Sequence, residues 1–376
     1  MNLSVSSAFD GGNIRLVGID GTRIDLEICK DNRSQFYQWF YFRLMGAEGH
    51  PVELRIVNGA ESAYPLGWPG YRACMSHDRE TWERVDTSYE AGILTIRVTP
   101  AANSVWFAYF APYTMEMHHD LVAAVAAHPD VEHRSLGQTL DGQEIDYLKI
   151  GDGPVQAWIY GRQHPGETMA EWWMEGALDK LLDDADPVAR VLKRRATFHI
   201  VPNMNPDGSR RGHLRTNAAG INLNREWHEP SLQRSPEVLN VRNEMDRTGV
   251  HFAMDVHGDE AIAANFMAGF EGIPSHSPAQ QALYDRYSRE LVRLSPDFQT
   301  EKGYELAAPG QANLSMSTAQ LAERFGAIAM TLEMPFKDND DLPDPVEGWS
   351  PDRSRLLARA CLDALHAIID ELPFRR

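Results

Sequence analysis

The chain has 376 residues, a formal net charge of −18 and three cysteines. Its length exceeds one compact core of usual size, so two domains are expected, and neither needs disulfides for stability. The negative field disfavours nucleic acid and anionic membranes as partners, and no stretch approaches the roughly 18 apolar residues that a bilayer needs.

Cys29, Cys74 and Cys361 lack any Cys-x-x-Cys spacing, which argues against a disulfide framework and against a thiolate zinc site. The segment Met1 to Asp10 has no basic stretch followed by an apolar run. A soluble cytoplasmic protein is the expectation.

Residues 1–115 read as short strands separated by turns. Ile24-Asp-Leu-Glu-Ile28 and Val52-Glu-Leu-Arg-Ile-Val57 alternate, Gln38-Trp-Phe-Tyr-Phe-Arg-Leu44 and Val105-Trp-Phe-Ala-Tyr-Phe110 are aromatic, and 92–98 alternates again. This pattern predicts an all-β sandwich with no catalytic cluster of its own, its Trp39, Phe40 and Trp106 serving packing.

From residue 116 to 376 strands and helices alternate. Strands are predicted at 145–150, 155–160, 197–201, 250–255 and 327–332, and helices at 121–127, 167–183, 235–247, 278–294, 315–325 and 351–371. Short apolar strands separated by helices predict an α/β domain, a mixed, largely parallel sheet covered on both faces. Ligands of such sheets bind at the carboxyl ends of the strands.

Three loops carry polar residues to that rim. His164 and Glu167 follow the strand 155–160, Asn203 to Gly208 follow the strand 197–201, and His257 follows the strand 250–255. His164, Glu167 and His257 are the two imidazoles and one carboxylate that a catalytic zinc takes while keeping a position for water. Taken alone, His257 reads more readily as a polar strand-end residue, and the company of His164 and Glu167 reverses that reading. Asp255 is a candidate partner for its other ring nitrogen, or simply a strand-end Asp.

Glu333 stands at the carboxyl end of the apolar strand 327–332, where a charge is costly unless used or paired. It is the candidate general base, with a satisfied buried Glu as the alternative. Arg215 and Arg225 follow the turn-forming Asn205-Pro-Asp-Gly208, and guanidinium suits both carboxylate and oxyanion. His118-His119 offers no convincing second metal site, and His199, His213, His228 and His251 default to packing or surface roles.

Taken in order, His164-Pro-Gly-Glu167, Asn205-Pro-Asp-Gly208, Asn222-Leu-Asn-Arg-Glu-Trp227, Asp255-Val-His257 and Thr331-Leu-Glu333 resemble the zinc carboxypeptidase family. Phe9-Asp-Gly-Gly-Asn-Ile14, Gln38-Trp-Phe-Tyr-Phe42 and Phe107-Ala-Tyr-Phe-Ala-Pro-Tyr113 extend the resemblance to its cytosolic carboxypeptidase branch, over nearly the whole chain. The resemblance implies one zinc on His164, Glu167 and His257, with Glu333 as base and later proton donor. It implies that Arg215 stabilises the oxyanion and that Asn224 and Arg225 grip the terminal carboxylate of a peptide or protein tail.

Two departures bear on substrate. Secreted relatives carry an arginine immediately before the ligand Glu, where this chain has Gly166, as its branch does, so Arg215 takes on more of the carbonyl's charge. The segment 310–316 holds no tyrosine to cover the substrate, which leaves Tyr304 as the substitute. Eukaryotic members favour C-terminal glutamate, and a preference for acidic ends is the finer expectation, although Lys302 and Arg324 read as solvated. The competing readings are a zinc amide hydrolase acting on cell-wall peptides or N-acyl amino acids, and a non-catalytic binding protein on the same fold.

Overall fold

The computed structural model describes residues 2–372. Its N-terminal part contains β1 (Ser4–Ser6), β2 (Arg15–Asp20), β3 (Arg23–Glu27), β4 (Tyr41–Met45), β5 (Val52–Ile56), β6 (Cys74–Ser76), β7 (Glu83–Arg84), β8 (Thr87–Glu90), β9 (Ile93–Val98) and β10 (Ser104–Ala108). They form two five-stranded sheets, ordered β1-β4-β10-β6-β7 and β2-β3-β5-β9-β8. Successive side chains on a strand point to opposite faces. Phe42 and Leu44 of β4 and Phe107 of β10 therefore share one core with Leu54 and Ile56 of β5 and Ile96 of β9. This is the expected sandwich. Strand β2 escapes pattern reading because all six of its residues are exposed at a sheet edge.

The remaining elements are α1 (Met115–Ala126), β11 (Val131–Gln138), β12 (Glu144–Ile150), β13 (Val155–Gly161), α2 (Met169–Leu182), α3 (Pro187–Arg195), β14 (Ala196–Val201), α4 (Pro206–Arg211), α5 (Pro236–Thr248), β15 (Phe252–Asp259), β16 (Phe266–Ala268), α6 (Pro278–Leu294), α7 (Ser317–Phe325), β17 (Ile328–Pro335) and α8 (Pro351–Ile368). The seven strands form a mixed sheet ordered β11-β12-β14-β13-β15-β17-β16. Only the central strands β14, β13, β15 and β17 run parallel; the flanking pairs are antiparallel. The division follows burial. Strands β14 and β17 are buried at every position, as a parallel strand covered on both faces must be, whereas edge strand β11 is half exposed.

Asp186, Ser277 and Ser350 cap α3, α6 and α8 with their side chains, and each is followed by the proline favoured at the first helical position. The segment read as a turn after β14 is the short helix α4. The Asn205 side chain accepts from the Gly208 amide, Pro206 opens the helix, and Gly212 closes it at φ 68°. No described helix is long and apolar enough to cross a membrane.

The sandwich sits at the carboxyl ends of the parallel strands. Asn13 Nδ2 donates to the Gly212 carbonyl at 2.8 Å, and the Gly11 amide donates to the Arg210 carbonyl at 3.1 Å. On the other side Tyr109 stacks on Phe336 at 4.5 Å, and Arg84 of β7 donates to the Phe336 carbonyl at 2.8 Å. Both contacts flank the rim that carries the polar cluster.

Candidate metal and catalytic site

The chain leaving β13 turns through Arg162 at φ 57°, a conformation rare for a residue with a side chain. The buried Arg162 guanidinium holds the turn, donating to the Pro165 carbonyl from Nε at 2.9 Å and Nη2 at 2.6 Å and pairing with Glu171 of α2. His164 and Glu167 are thereby turned inward and buried. His257 arrives from β15 itself, which continues to Asp259, and the strand register sets it beside Glu333 of β17.

The three side chains converge. His164 Nδ1 lies 2.6 Å from Glu167 Oε1, and His257 Nδ1 lies 2.7 Å from Glu167 Oε2 and 3.1 Å from His164 Nδ1. Their candidate ligand atoms all fall within 4.8 Å of one another, and among the described residues no other cluster meets that test. Two imidazoles and a carboxylate in a buried rim fit a zinc ion that keeps an open position. Burial, then repulsion from Arg215, lowers the His164 pKa to about 4, so the ring is a neutral donor. Burial also opposes a charged His257, but Asp255 and Glu167 outweigh it and hold its pKa well above the usual histidine range. The carboxylates thus draw positive charge to this spot.

Outer contacts orient the rings. His257 Nε2 lies 2.8 Å from Asp255 Oδ1, and Asp255 Oδ2 accepts from Gln163 Nε2 at 2.7 Å and Ser317 Oγ at 2.5 Å. His164 Nε2 lies 3.0 Å from Asn222 Oδ1. Such partners set which nitrogen of each ring faces inward.

Glu333 is buried, with Oε2 free of any partner among the described residues and Oε1 accepting from the Tyr304 hydroxyl at 3.2 Å. Burial, reinforced by Glu167 and only partly offset by His257, raises its pKa well above the usual carboxyl range. This is a carboxyl disposed to take up a proton. Tyr304 also reaches Asp259 Oδ2 at 2.8 Å, so the tyrosine does stand at the site.

Arg215 carries no hydrogen bond or ion pair from its guanidinium among the described residues. Burial opposes its charge, but Tyr64, Glu167, Glu260 and Glu333 sustain it, raising its pKa. Arg225 lies exposed at the rim, where desolvation and then repulsion from Arg215 lower its pKa. Two cations crowding one space, neither in an ion pair among the described residues, favour an anion between them. Asn224 is buried, and its Oδ1 accepts from the Ser317 amide at 2.9 Å, which leaves its Nδ2 to donate.

Beside Glu333 opens a cavity of about 770 Å³ that Thr331 and Tyr304 line. Lys302 lines the cavity but remains exposed, as expected, with its ammonium paired with Asp341 at 2.7 Å. Arg289, which the sequence reading missed, lines it as well, while Glu271 and Asp285 give the wall mixed charge. Arg324 pairs with Asp246 and takes no part.

Further residues of the site carried no local signal in the sequence. They include Arg162 and the buried Glu260, whose pKa burial and then Glu167 raise well above the usual range. His118 is another: its neighbour His119 is exposed, but His118 is buried. Its Nδ1 lies 2.7 Å from Glu171 Oε1 and its Nε2 3.1 Å from Asp146 Oδ2, beneath the Arg162 turn.

Burial lowers the basicity of His118, yet the charge of Glu171 and the bonds to both carboxylates outweigh it, and the pKa is pushed up from 6.5 to about 9. A folded-state pKa above the ordinary value stabilises the fold fully below pH 6.5, and the contribution fades as pH rises through about 9. Thermal stability is therefore expected to fall across that window, by up to about 3 kcal/mol from this group. His118→Asn should flatten the fall. Melting curves of both proteins across the window check this, and parallel slopes would exclude His118 as the source.

Fold and site together define a zinc metallocarboxypeptidase. Residues 5–110 match the family model for the cytosolic carboxypeptidase N-terminal domain, and residues 117–260 match that for zinc carboxypeptidase. The crystal structure of a metallo-carboxypeptidase from Burkholderia cenocepacia is similar with a TM-score of 0.97 and 44% identity, covering 99% of this chain and 100% of that one. An uncharacterized protein of Zymomonas mobilis is 59% identical over 99% of this chain and 98% of its own length. Human cytosolic carboxypeptidase 1 is 27% identical over 64% of this chain, which spans only 24% of the human protein. The chain belongs to the zinc carboxypeptidase family, in the branch of the cytosolic carboxypeptidases.

Proposed function

We propose that the enzyme removes single residues from the carboxyl ends of peptides or proteins in the cytoplasm, using one zinc ion held by His164, Glu167 and His257. The observation that carries this reading is the convergence on one rim of that donor set, the Glu333 Oε2 without a partner among the described residues, and Arg215 and Arg225, neither of which has an ion-pair partner among the described residues. Zinc bound there would act as a Lewis acid toward water and the scissile carbonyl.

The chain's own groups do the rest. Glu333 takes a proton from the attacking water and later gives it to the leaving amine. Arg215 faces the carbonyl oxygen and stabilises its developing negative charge. Asn224 Nδ2 and Arg225 hold the terminal carboxylate, which limits cleavage to the last bond. Three free cysteines support a reducing compartment.

The cavity beside Glu333 suits the side chain of the released residue. Arg289, without an ion-pair partner among the described residues, is the cation for an acidic one. Glutamate is accordingly expected to leave faster than leucine or phenylalanine from matched peptides. Mass-spectrometric readout of residues released from a panel of peptide C-termini, with and without a chelator, tests both levels. Release of single C-terminal residues that stops with chelator supports the activity, and internal cleavage overturns it. Equal rates for Glu, Leu and Phe, or faster release of Lys and Arg, would remove the acidic preference alone.

A further inference from the structure

The loop that carries Arg215 is built by the N-terminal sandwich. Asp31 is buried, and its Oδ1 accepts from the Leu214 amide at 2.7 Å. Its Oδ2 accepts from the amides of Arg215 at 2.8 Å and Thr216 at 2.9 Å, and from the Thr216 hydroxyl at 3.0 Å. One carboxylate thus gathers three successive amides of a segment more than 180 residues away. A buried carboxylate with such a set of N–H donors is strongly directional, because charge-assisted bonds are about twice as strong as neutral ones.

Neighbouring contacts hold the same loop. The Asn32 amide donates to His213 Nε2 at 3.0 Å, so His213 Nδ1 carries the proton it gives to the Thr216 carbonyl at 2.9 Å. Asn32 Nδ2 donates to the Ala218 carbonyl at 2.8 Å. From the other side the Gly166 amide donates to the Leu214 carbonyl at 2.9 Å, and a Cβ at Gly166 would lie 3.0 Å from that oxygen.

The sandwich also grips the side chain. The Arg215 guanidinium carbon lies 5.7 Å from the ring centroid of Phe36 and 5.4 Å from that of Tyr64, within cation–π range of both. No carboxylate or carbonyl holds this guanidinium among the described residues. The two rings orient it without consuming its N–H donors, which stay free for a substrate oxygen.

We propose that the sandwich is a working part of the catalytic centre: Asp31 is a positioning residue that fixes the Arg215 backbone, and Phe36 and Tyr64 clamp the guanidinium toward the scissile carbonyl. The proposal rests on the reading of Arg215 given above. It assigns the N-terminal domain a role in turnover, acting entirely through one arginine.

The test is a set of double-mutant cycles in the full chain, reading kcat, KM and zinc content on one peptide. Arg215→Ala is expected to lower kcat by about 100- to 1,000-fold. Asp31→Asn and Tyr64→Leu are each expected to lower kcat by roughly 10- to 100-fold with zinc content unchanged, since small misplacements cost that much. Tyr64→Phe keeps the ring and is expected to recover most of the Tyr64→Leu loss.

In the Arg215→Ala background neither substitution should lower kcat further, because the group they position is gone. Equal losses in both backgrounds would overturn the proposal, as would Asp31→Asn and Tyr64→Leu proteins with undiminished kcat. Tyr64→Leu touches none of the backbone bonds and carries the test if Asp31→Asn fails to fold. An Arg215→Ala enzyme with normal kcat would remove the role of Arg215 itself, an outcome distinct from failure of the positioning alone.

Discussion

Glu333→Gln is expected to lower kcat by about 1,000- to 10,000-fold, the upper part of the range for loss of a general base, while zinc content and KM change little. The substitution keeps the shape of the side chain and the contact with the Tyr304 hydroxyl, 3.2 Å from Oε1. What it removes is the ability to take a proton. In the native chain Oε2 of this buried carboxylate has no partner among the described residues, beside the His164, Glu167 and His257 cluster. An unpaired buried charge costs free energy, and here that cost has a return only if the oxygen meets water or substrate.

A neutral amide at the same place removes the cost of ionising a buried carboxyl, so the variant should fold about as stably as wild type. The loss should fall on kcat and kcat/KM together, the pattern for an interaction made only in the transition state. Single-turnover assays with metal content measured on the same sample check this. Turnover within tenfold of wild type in a zinc-loaded Glu333→Gln protein would assign the base to another residue.

Much of this centre is legible in the sequence because it is built from strand ends. Apolar runs mark β13, β14, β15 and β17, and the polar residues that interrupt or follow them are conspicuous against that background. His164, Glu167, His257 and Glu333 are of this kind, and the parallel register then brings them together. Arg215 lies in a loop, and Asn224 and Arg225 lie in the single 3-10 turn Leu223–Arg225; guanidinium chemistry after a turn points weakly to the two arginines, and only the family resemblance singles out Asn224.

What stays hidden is whatever depends on the packing of one domain on the other. Asp31 lies in a polar turn and Tyr64 before a proline, so each reads as an ordinary loop residue. Their meaning comes from the loop at 213–216, which no local pattern connects to them. Arg162 and His118 are hidden for a related reason, since a charged residue in sequence gives no hint that Glu171 will be buried beside it. Helix α3 differs: Asp186-Pro187 was an available start signal, but the polar stretch that follows has no broad apolar face to confirm it.

Gly166 shows how the two domains and the site fit together. The missing side chain removes a cation that secreted relatives place before the ligand Glu, and it also opens space. Leu214 fills that space, with its carbonyl on the Gly166 amide at 2.9 Å, and so brings the Arg215 loop against the His164 and Glu167 loop. The loop proposed to compensate for the absent cation is seated by the absence itself.

His257→Ala is expected to strip the purified chain of zinc and of activity, whereas Asp255→Asn should keep the fold and weaken zinc binding by about 10- to 100-fold. The ranking follows from where each group stands. His257 supplies a donor atom to the cluster, 2.7 Å from Glu167 Oε2, and its loss leaves two donors where a catalytic zinc needs three. Asp255 touches no other candidate ligand; it holds the far nitrogen of His257 at 2.8 Å and is itself held by Gln163 and Ser317. An asparagine retains one acceptor oxygen but loses the charge that makes the imidazole a stronger donor. Zinc that binds only the folded chain stabilises it by RT ln(1 + c/Kd), with c the free zinc concentration, so the melting temperature keeps rising with free zinc above Kd. Melting temperature titrated with zinc should therefore rise steeply for wild type, rise at higher zinc for Asp255→Asn, and stay flat for His257→Ala. A zinc-dependent rise in His257→Ala equal to that of wild type would locate the metal on other residues.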